Sequence, residues 1–455
     1  MPDRRPVHFV GIAGAGMSAL AELYVRRGYV VTGCDTASAT VNDLEQLGIH
    51  VVHGHDASHV SGAQEVIVTS AVPKDHAELQ RARELGITVT RRAEALGKAV
   101  SGGALVGVAG THGKTTTTVM TTEALAAAGL DPTGVAGGRV GSWNGNLKGG
   151  GANVFVVEAD EYDRSFHALS PTVAVVTNME SDHLDIYPGG IDEIRAAFAQ
   201  FVAGAETIVL CADDPGANTL PTPSTAEVIR YGTSSPDARL VARGIVPHNG
   251  GSKFDASYDG DLLGTVRLLV PGMHNVQNSL AAIGAGIALG VELKDLLPGL
   301  ESFSGVERRF QRIADVGGVS IIDDYAHHPT EIRATLEAAR SAFPARRIVA
   351  AFQPHLYTRT RDFHQEFAEA LMLADVVFLC DLYPAREKPI VGVSAEMIAG
   401  PMQSAGKAPQ WEGPRDHLAA ALGDFVKDGD VVLTIGAGDI TKTGAELRDL
   451  LTERD

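Results

Sequence analysis

The stretch LVGVAGTHGKTTTT, residues 105–118, decides how this chain is read. A β-branched apolar run gives way to a glycine turn, and then to a lysine and four threonines that open a helix-like segment. In such a strand–turn–helix, backbone N–H groups cradle phosphates, Lys114 can neutralise β/γ oxygens, and the Thr115 hydroxyl can bind Mg²⁺. A full P-loop requires glycine five positions before Gly113, where Val108 stands, so Gly110 supplies the turn of a shortened G-x-x-G-K-T. A threonine-rich helix start without nucleotide is the alternative. The flanking strand and helix favour an ATP site over Gly110, Thr111, His112, Gly113, Lys114, Thr115 and Thr116.

Working outward, short apolar runs alternate with longer helix-like segments: Val7 to Ile12, Val30 to Cys34, Val66 to Thr69, Val154 to Val157, Val173 to Thr177 and Ile208 to Cys211. A further set begins at Val319, with Ile348 to Phe352, Val376 to Leu379 and Val431 to Ile435. That alternation predicts an α/β protein with largely parallel sheets. Breaks near Gly97 to Gly103 and Ser304 to Arg312 divide it into three domains, 1–100, 101–312 and 313–455, as 455 residues lead one to expect. Residues 221–258, rich in Pro, Ser, Gly and Asp, read as turns and short strands decorating the middle domain.

A second glycine cluster, GIAGAGMSALAE from Gly11, follows the first strand. Gly14, Gly16 and Ala19 fit G-x-G-x-x-A, and Asp35 lies about 20 residues on, where an acidic side chain can meet a ribose hydroxyl. A diphosphate-containing ligand at the helix N-terminus is one reading and tight helix–strand packing the other. Taken alone, the cluster suggests a nicotinamide-dependent dehydrogenase, which would leave the lysine-bearing loop without purpose.

Metal chemistry belongs on strand ends beside the phosphate loop, because hard cations take oxygen ligands. Two runs deliver polar and acidic side chains there: Glu158, Asp160, Glu161 and Asp163 after Val154 to Val157, then Asn178, Glu180, Asp182, His183 and Asp185 after Val173 to Thr177. Glu158 and His183 are the leading metal candidates, with Thr115.

Composition bounds the partners. Lys and Arg number 38 against 56 Asp and Glu, a formal charge of −18, so polyanions and acidic membranes are repelled and any anion site must be built locally. Three scattered cysteines read as core packing in a reducing compartment. The apolar stretch near Leu280 to Val291 is too short to cross a bilayer, and the glycine-broken N-terminus does not read as a signal peptide. A cytoplasmic enzyme with neither nucleic-acid nor membrane partners is expected.

Further strings complete the pattern: EADEYDRSF from Glu158, TNMESDHLD from Thr177, GMHNVQN from Gly272, GVERRFQ from Gly305, DDYAHHPTE from Asp323, FQPHLYTRTRD from Phe352 and GAGD from Gly436. With the two glycine clusters they make the chain resemble the Mur ligase family over essentially its whole length. The resemblance implies ATP-dependent ligation of L-alanine to the carboxylate of UDP-N-acetylmuramate by way of an acyl phosphate, a step of peptidoglycan synthesis, by a monomer or homodimer. A murein-peptide recycling ligase of the same superfamily is the runner-up. The resemblance also implies that Gly14, Ala15, Gly16, Met17, Asp35 and Ser70 hold the sugar nucleotide. It gives Lys114 and Thr115 the ATP phosphates and Mg²⁺, with Glu158 and His183 as further metal ligands. His274 and Asn275 would contact adenine, Arg309 and Asp323 would reach the nucleotide, and His328 and Arg359 would place the alanine. Two departures stand out. Some relatives carbamoylate a lysine to support a second metal, but no lysine lies between Lys148 and Lys253; and Leu356 stands where many alanine-adding relatives carry arginine, leaving Arg359 and Arg361 as the basic residues of that strand end.

Overall fold

The computed structural model describes residues 5–38, 40–182, 186–385 and 387–454. Three sheets organise the chain. The first has five parallel strands in the order His50–His53, Val31–Asp35, Val7–Val10, Glu65–Val68, Thr88–Arg91. The chain winds outward in both directions from Val7–Val10, which puts the glycine turn at a topological switch point. The helix after it, Ala15–Arg26, buries Met17, Leu20, Leu23 and Tyr24 on one face, the spacing of an amphipathic helix, and ends on Arg26, whose charge suits the helix C-terminus. Gly33 allows the turn to lie close, since a Cβ there would come within 2.9 Å of Ile12 Cβ.

The second sheet contains Glu227–Gly232, Thr207–Cys211, Val173–Val176, Ala104–Ala109, Val154–Glu158, Thr133–Val140 and Gly145–Lys148 in spatial order. Neighbours are parallel except the last pair. Its central strands are buried along almost their whole length, as their continuous Val/Ala/Ile runs require when both faces are covered. The helix Lys114–Ala127 lies almost wholly inside. Burying threonines is tolerable because they bond backward along the helix: Thr121 Oγ1 donates to Thr117 O and Thr122 Oγ1 to Thr118 O, both at 2.7 Å.

Beyond Glu227–Gly232 the sheet continues as Leu240–His248, Gly251–Tyr258 and Asp261–Leu268. The composition of 221–258 predicts turns and short strands, whereas these strands run to eight or nine residues. Glycine and asparagine are concentrated at their ends, in turns such as Asn249–Gly250 and Asp259–Gly260, both with positive φ. The chain divides into two compact units, one of Met1–Gly244, Phe254–Val266 and Gln277–Phe303, the other of Ile245–Lys253, Arg267–Val276 and Ser304–Asp455. The first unit therefore carries the first sheet and most of the second.

The third sheet runs Gln311–Val316, Val319–Asp324, Asp430–Ile435, Arg347–Phe352, Val376–Cys380, Trp411–Gly413, parallel but for its first pair. Apolar clusters cover both faces, one around Ile322, Phe352 and Phe367, the other around Ile321, Phe378 and Leu447. Cys34, Cys211 and Cys380 are free thiols buried on strands. Among the described residues no helix is long and apolar enough to cross a membrane.

Candidate active site

The phosphate-type loop leaves the strand Ala104–Ala109 at Gly110 and enters the helix at Gly113. Gly113 has φ +80°, and a Cβ there would lie 2.6 Å from Asn278 Oδ1; at Gly110 a Cβ would collide with the Thr177 hydroxyl. Both glycines are therefore needed. The segment after the strand Val173–Val176 clamps the loop. Thr111 N donates to Asn178 O (3.1 Å) and His112 N to Asn178 Oδ1 (2.7 Å). In return Asn178 Nδ2 (3.0 Å) and Thr177 Oγ1 (2.6 Å) donate to His112 O. From the helix side Thr117 Oγ1 donates to Asn278 Oδ1 at 3.1 Å. The loop is thus pre-shaped by asparagines from distant parts of the chain.

Lys114 is the charge at its centre. Nζ donates to Gly110 O (2.7 Å) and Thr111 O (3.2 Å) and pairs with Glu161 Oε2 at 2.8 Å. Burial works against its ammonium, but the carboxylates of Glu161, Asp160 and Glu158 outweigh burial and hold its pKa above the usual lysine value. Burial pushes the Glu161 carboxyl up to about 7 even though Lys114 pulls it down. Glu158, at the end of its strand, accepts from Thr115 Oγ1 at 3.0 Å and from the Gly137 backbone N–H. Burial raises its pKa as well, with Lys114 again opposing. A hydroxyl and a half-buried carboxylate meeting beside the lysine form the oxygen donor set a hard divalent cation takes, so these residues fit Mg²⁺. Thr116 is buried within the same helix turn, while His183 lies outside the described residues.

In the first sheet the predicted glycine turn is in place. Gly14 caps the helix that carries Ala15, Gly16 and Met17; Met17 is buried and Gly16 packs against Arg92, whose Nη1 would lie 3.0 Å from a Cβ. Asp35 is engaged by backbone, accepting from Ala13 N and Ala37 N, each at 2.8 Å, so part of its role is to shape the turn. Ser70 lines a cleft of about 200 Å³ with Arg91 and Arg92 from the first domain and Asp160, Tyr162 and Arg164 from the second. Asp163 and Arg164 beside it have φ +54° in succession, a conformation costly for residues with a Cβ and concentrated at functional sites.

The remaining predicted residues belong to the second compact unit. Arg309 pairs with Glu331 (3.4 Å) and stacks on Tyr325, its guanidinium carbon 5.3 Å from the ring centre. Burial, with the nearby Arg309 charge, brings the His274 pKa down to about 4, so its ring is neutral at physiological pH. Asn275 is buried, its Nδ2 donating to Pro271 O at 2.7 Å. His328 caps the helix Pro329–Ala342 and lies edge-on to Phe363 at 4.9 Å. Glu331 Oε2 accepts from the backbone N–H groups of His327 (2.9 Å) and His328 (3.3 Å). Asp323 is fully buried and turned into its own domain, accepting from Thr434 Oγ1 (2.7 Å), Thr441 Oγ1 (3.0 Å) and Arg308 Nε (3.1 Å). Its neighbour Asp324 is lifted by burial to about 6. Arg359 and Arg361 are not at a strand end as the sequence suggests. They lie in the first two turns of the helix Tyr357–Leu371, Arg359 buried and Arg361 bonded to Asp362. Leu356, just before that helix, has φ +72°.

Three family models match successive parts of the chain. They are the Mur ligase family catalytic domain over residues 6–103, the Mur ligase middle domain over 108–286, and the Mur ligase glutamate ligase domain over 308–438. The chain belongs to the Mur ligase family. Among similar proteins, the UDP-N-acetylmuramate–L-alanine ligase of Salinibacter ruber is 43% identical over 98% of this chain and 95% of its own. That of Cutibacterium acnes is also 43% identical, over 98% and 96%. Among solved structures, the UDP-N-acetylmuramate–alanine ligase of Thermotoga maritima superposes with a TM-score of 0.84 at 30% identity, covering 99% of this chain and all of its own. A murein peptide ligase of Psychrobacter arcticus gives 0.70 at 26% identity, covering 98% of each.

Reading this Mur ligase from sequence misses Asn178 and Asn278 as braces of the loop and Arg92 as the cation against the glycine turn. Asn278 closes the GMHNVQN string, so a signal was present; its contact with a turn 165 positions earlier was not. Arg92 follows the fifth strand directly, the place where cleft residues gather in an open α/β sheet.

Proposed function

We propose that this chain joins L-alanine to the carboxylate of UDP-N-acetylmuramate with consumption of ATP, in the cytoplasm, as a step of peptidoglycan synthesis. The full-length likeness to UDP-N-acetylmuramate–L-alanine ligases, 43% identical with all three domains matched, carries this reading. The loop around Lys114 supports it chemically. A carboxylate does not accept an amine at neutral pH, because its oxygen is a poor leaving group; ATP converts it to an acyl phosphate, which the alanine amine attacks with loss of phosphate. Two anions must first be brought together, and the buried Lys114 ammonium supplies fixed positive charge where they meet. Mg²⁺, when bound, screens the same repulsion and polarises the phosphoryl oxygens. Thr115 and Glu158 would hold it, with His183 as a further ligand.

The proposed division of labour follows the domains, 1–100, 101–312 and 313–455. Gly14, Ala15, Gly16, Met17, Asp35 and Ser70 hold the sugar nucleotide, with Arg92 compensating its diphosphate. Gly110 to Thr116 hold the ATP phosphates, and His274 and Asn275 the adenine, the neutral His274 ring being suited to an uncharged base. Arg309 approaches the nucleotide, Asp323 acts through Arg308, and His328 and Arg359 receive the amino acid. The reading takes the protein as a monomer or homodimer.

The test is phosphate release from ATP and Mg²⁺ with UDP-N-acetylmuramate and either L-alanine or L-alanyl-γ-D-glutamyl-meso-diaminopimelate. Release with alanine and none with the tripeptide is expected. Release with the tripeptide alone would assign a recycling ligase, and no release together with NAD(H) turnover would overturn the ligase reading.

A further inference from the structure

Beneath the first domain's glycine turn is a cluster that the ligase chemistry does not use. Glu78, in the first turn of the helix Ala77–Glu84, is 0% exposed. A carboxylate removed from water requires a compensating charge. No lysine or arginine pairs with it among the described residues; its ionic neighbours are His59 (2.9 Å), His55 (3.3 Å) and His76 (3.6 Å). The Cys34 thiol, from the strand Val31–Asp35, donates to Glu78 Oε1 at 3.0 Å. His8, on the strand Val7–Val10 and 2% exposed, has Nδ1 fixed by Thr32 Oγ1 at 2.9 Å, leaving a buried Nε2 without a hydrogen-bond partner. One ligand atom from each of His8, Cys34, His59 and Glu78 can be chosen so that all four lie within 4.8 Å of one another.

We propose that His8, Cys34, His59 and Glu78 form a tetrahedral site for a borderline-soft divalent cation, zinc in the first instance, separate from the ATP-phosphate site. Two nitrogens, a thiolate and a carboxylate oxygen make a donor set characteristic of zinc, whose ligand atoms stand about 3.3–3.8 Å apart when bound. The 2.9 and 3.0 Å contacts already present require only a small opening. His8 has the outer hydrogen bond that metal-bound imidazoles keep on their second nitrogen, and His55 and His76 face the other oxygen of Glu78 as outer supports. Binding displaces the Cys34 proton to solvent, and the cation's double charge answers the buried Glu78 carboxylate. Because Gly11 N (2.9 Å) and Ile12 N (3.2 Å) both donate to Cys34 O, a metal here braces the glycine turn from below.

The full-length protein, reduced and stripped with chelator, is titrated with Co²⁺ alone, without ATP. A cobalt–thiolate charge-transfer band saturating at one equivalent and displaced by Zn²⁺ is expected. Cys34→Ser should abolish the band, and His59→Gln, on a half-buried turn and therefore compatible with folding, should weaken Zn²⁺ binding by about tenfold or more. Zinc should raise the melting temperature of the parent protein and leave that of Cys34→Ser unmoved. Absence of the band, its persistence in Cys34→Ser, or unchanged zinc affinity in His59→Gln would overturn the proposal and leave a histidine–glutamate ion-pair network in its place.

Discussion

Replacing Lys114 by methionine tests two roles of one residue at once. At 2.8 Å from Glu161, and with an effective dielectric of about 20, the attraction is about 6 kcal/mol, part of which desolvation has already consumed. Breaking such a buried pair from one side costs about 3–5 kcal/mol, because the surviving carboxylate loses the cation that offsets its desolvation. Lys114→Met should therefore be destabilised by that amount in urea unfolding, and Lys114→Met/Glu161→Gln should recover most of the loss. Phosphate release should fall by about 100-fold or more in both, since removing a buried charge from phosphoryl transfer is not repaired by removing its partner. The pH dependence follows from the carboxyl. Burial already holds Glu161 at about 7 against 4.5 when unfolded, and loss of Lys114 lifts it further. A group whose folded pKa is raised binds its proton more tightly in the folded state, so stability is greatest below 4.5 and falls as pH rises. The single variant should be nearest the parent at about pH 5 and furthest from it at about pH 8. A double variant as unstable as the single one would refute the ion-pair argument, and recovered turnover in the double variant would refute the catalytic role.

Gly113→Ala should weaken ATP binding while leaving UDP-sugar binding intact by calorimetry. It combines a left-handed residue, at about 1–2 kcal/mol, with a Cβ 2.6 Å from Asn278 Oδ1, and unchanged ATP affinity would show that the loop is not held as described. Asp213 offers a second pH test. Burial opposes its charge, but donors from Gln277, Thr233, Ser235 and Ser234 prevail and hold it at about 2, against 3.8 when unfolded. Its contribution, about 1–2 kcal/mol after allowance for its partial exposure, is fully present above pH 3.8 and lost as pH falls through about 2. The stability gap between Asp213→Asn and the parent should narrow over that window, and a constant gap would assign the cost to something other than the carboxylate's charge.

Much of the fold is legible because parallel strands buried on both faces must be continuous apolar runs. Val173–Val176 and Asp430–Ile435 can be read almost to the residue. The strands Leu240–His248 and Gly251–Tyr258 are masked because their exposed positions carry turn-forming residue types, and a half-exposed strand loses the continuous apolar signal. At the site, Lys114 and Glu158 were readable from local spacing, since a loop and a strand end are local objects. The asparagine braces were not, because the GMHNVQN string marks Asn278 without showing that it meets Thr117. Asp323 shows the converse: its string marks it, but only the fold reveals that Thr434 and Thr441 occupy its oxygens.

The burial of every cysteine has a practical consequence. Removal from water pushes the Cys211 thiol up to about 11 and the Cys380 thiol to about 12, with Cys34 raised as well, so the reactive thiolate is scarce at neutral pH. The native chain is therefore nearly silent toward maleimides. One cysteine introduced at an exposed point, such as the fully exposed Val391, would take a dye at a single address without first engineering the others away.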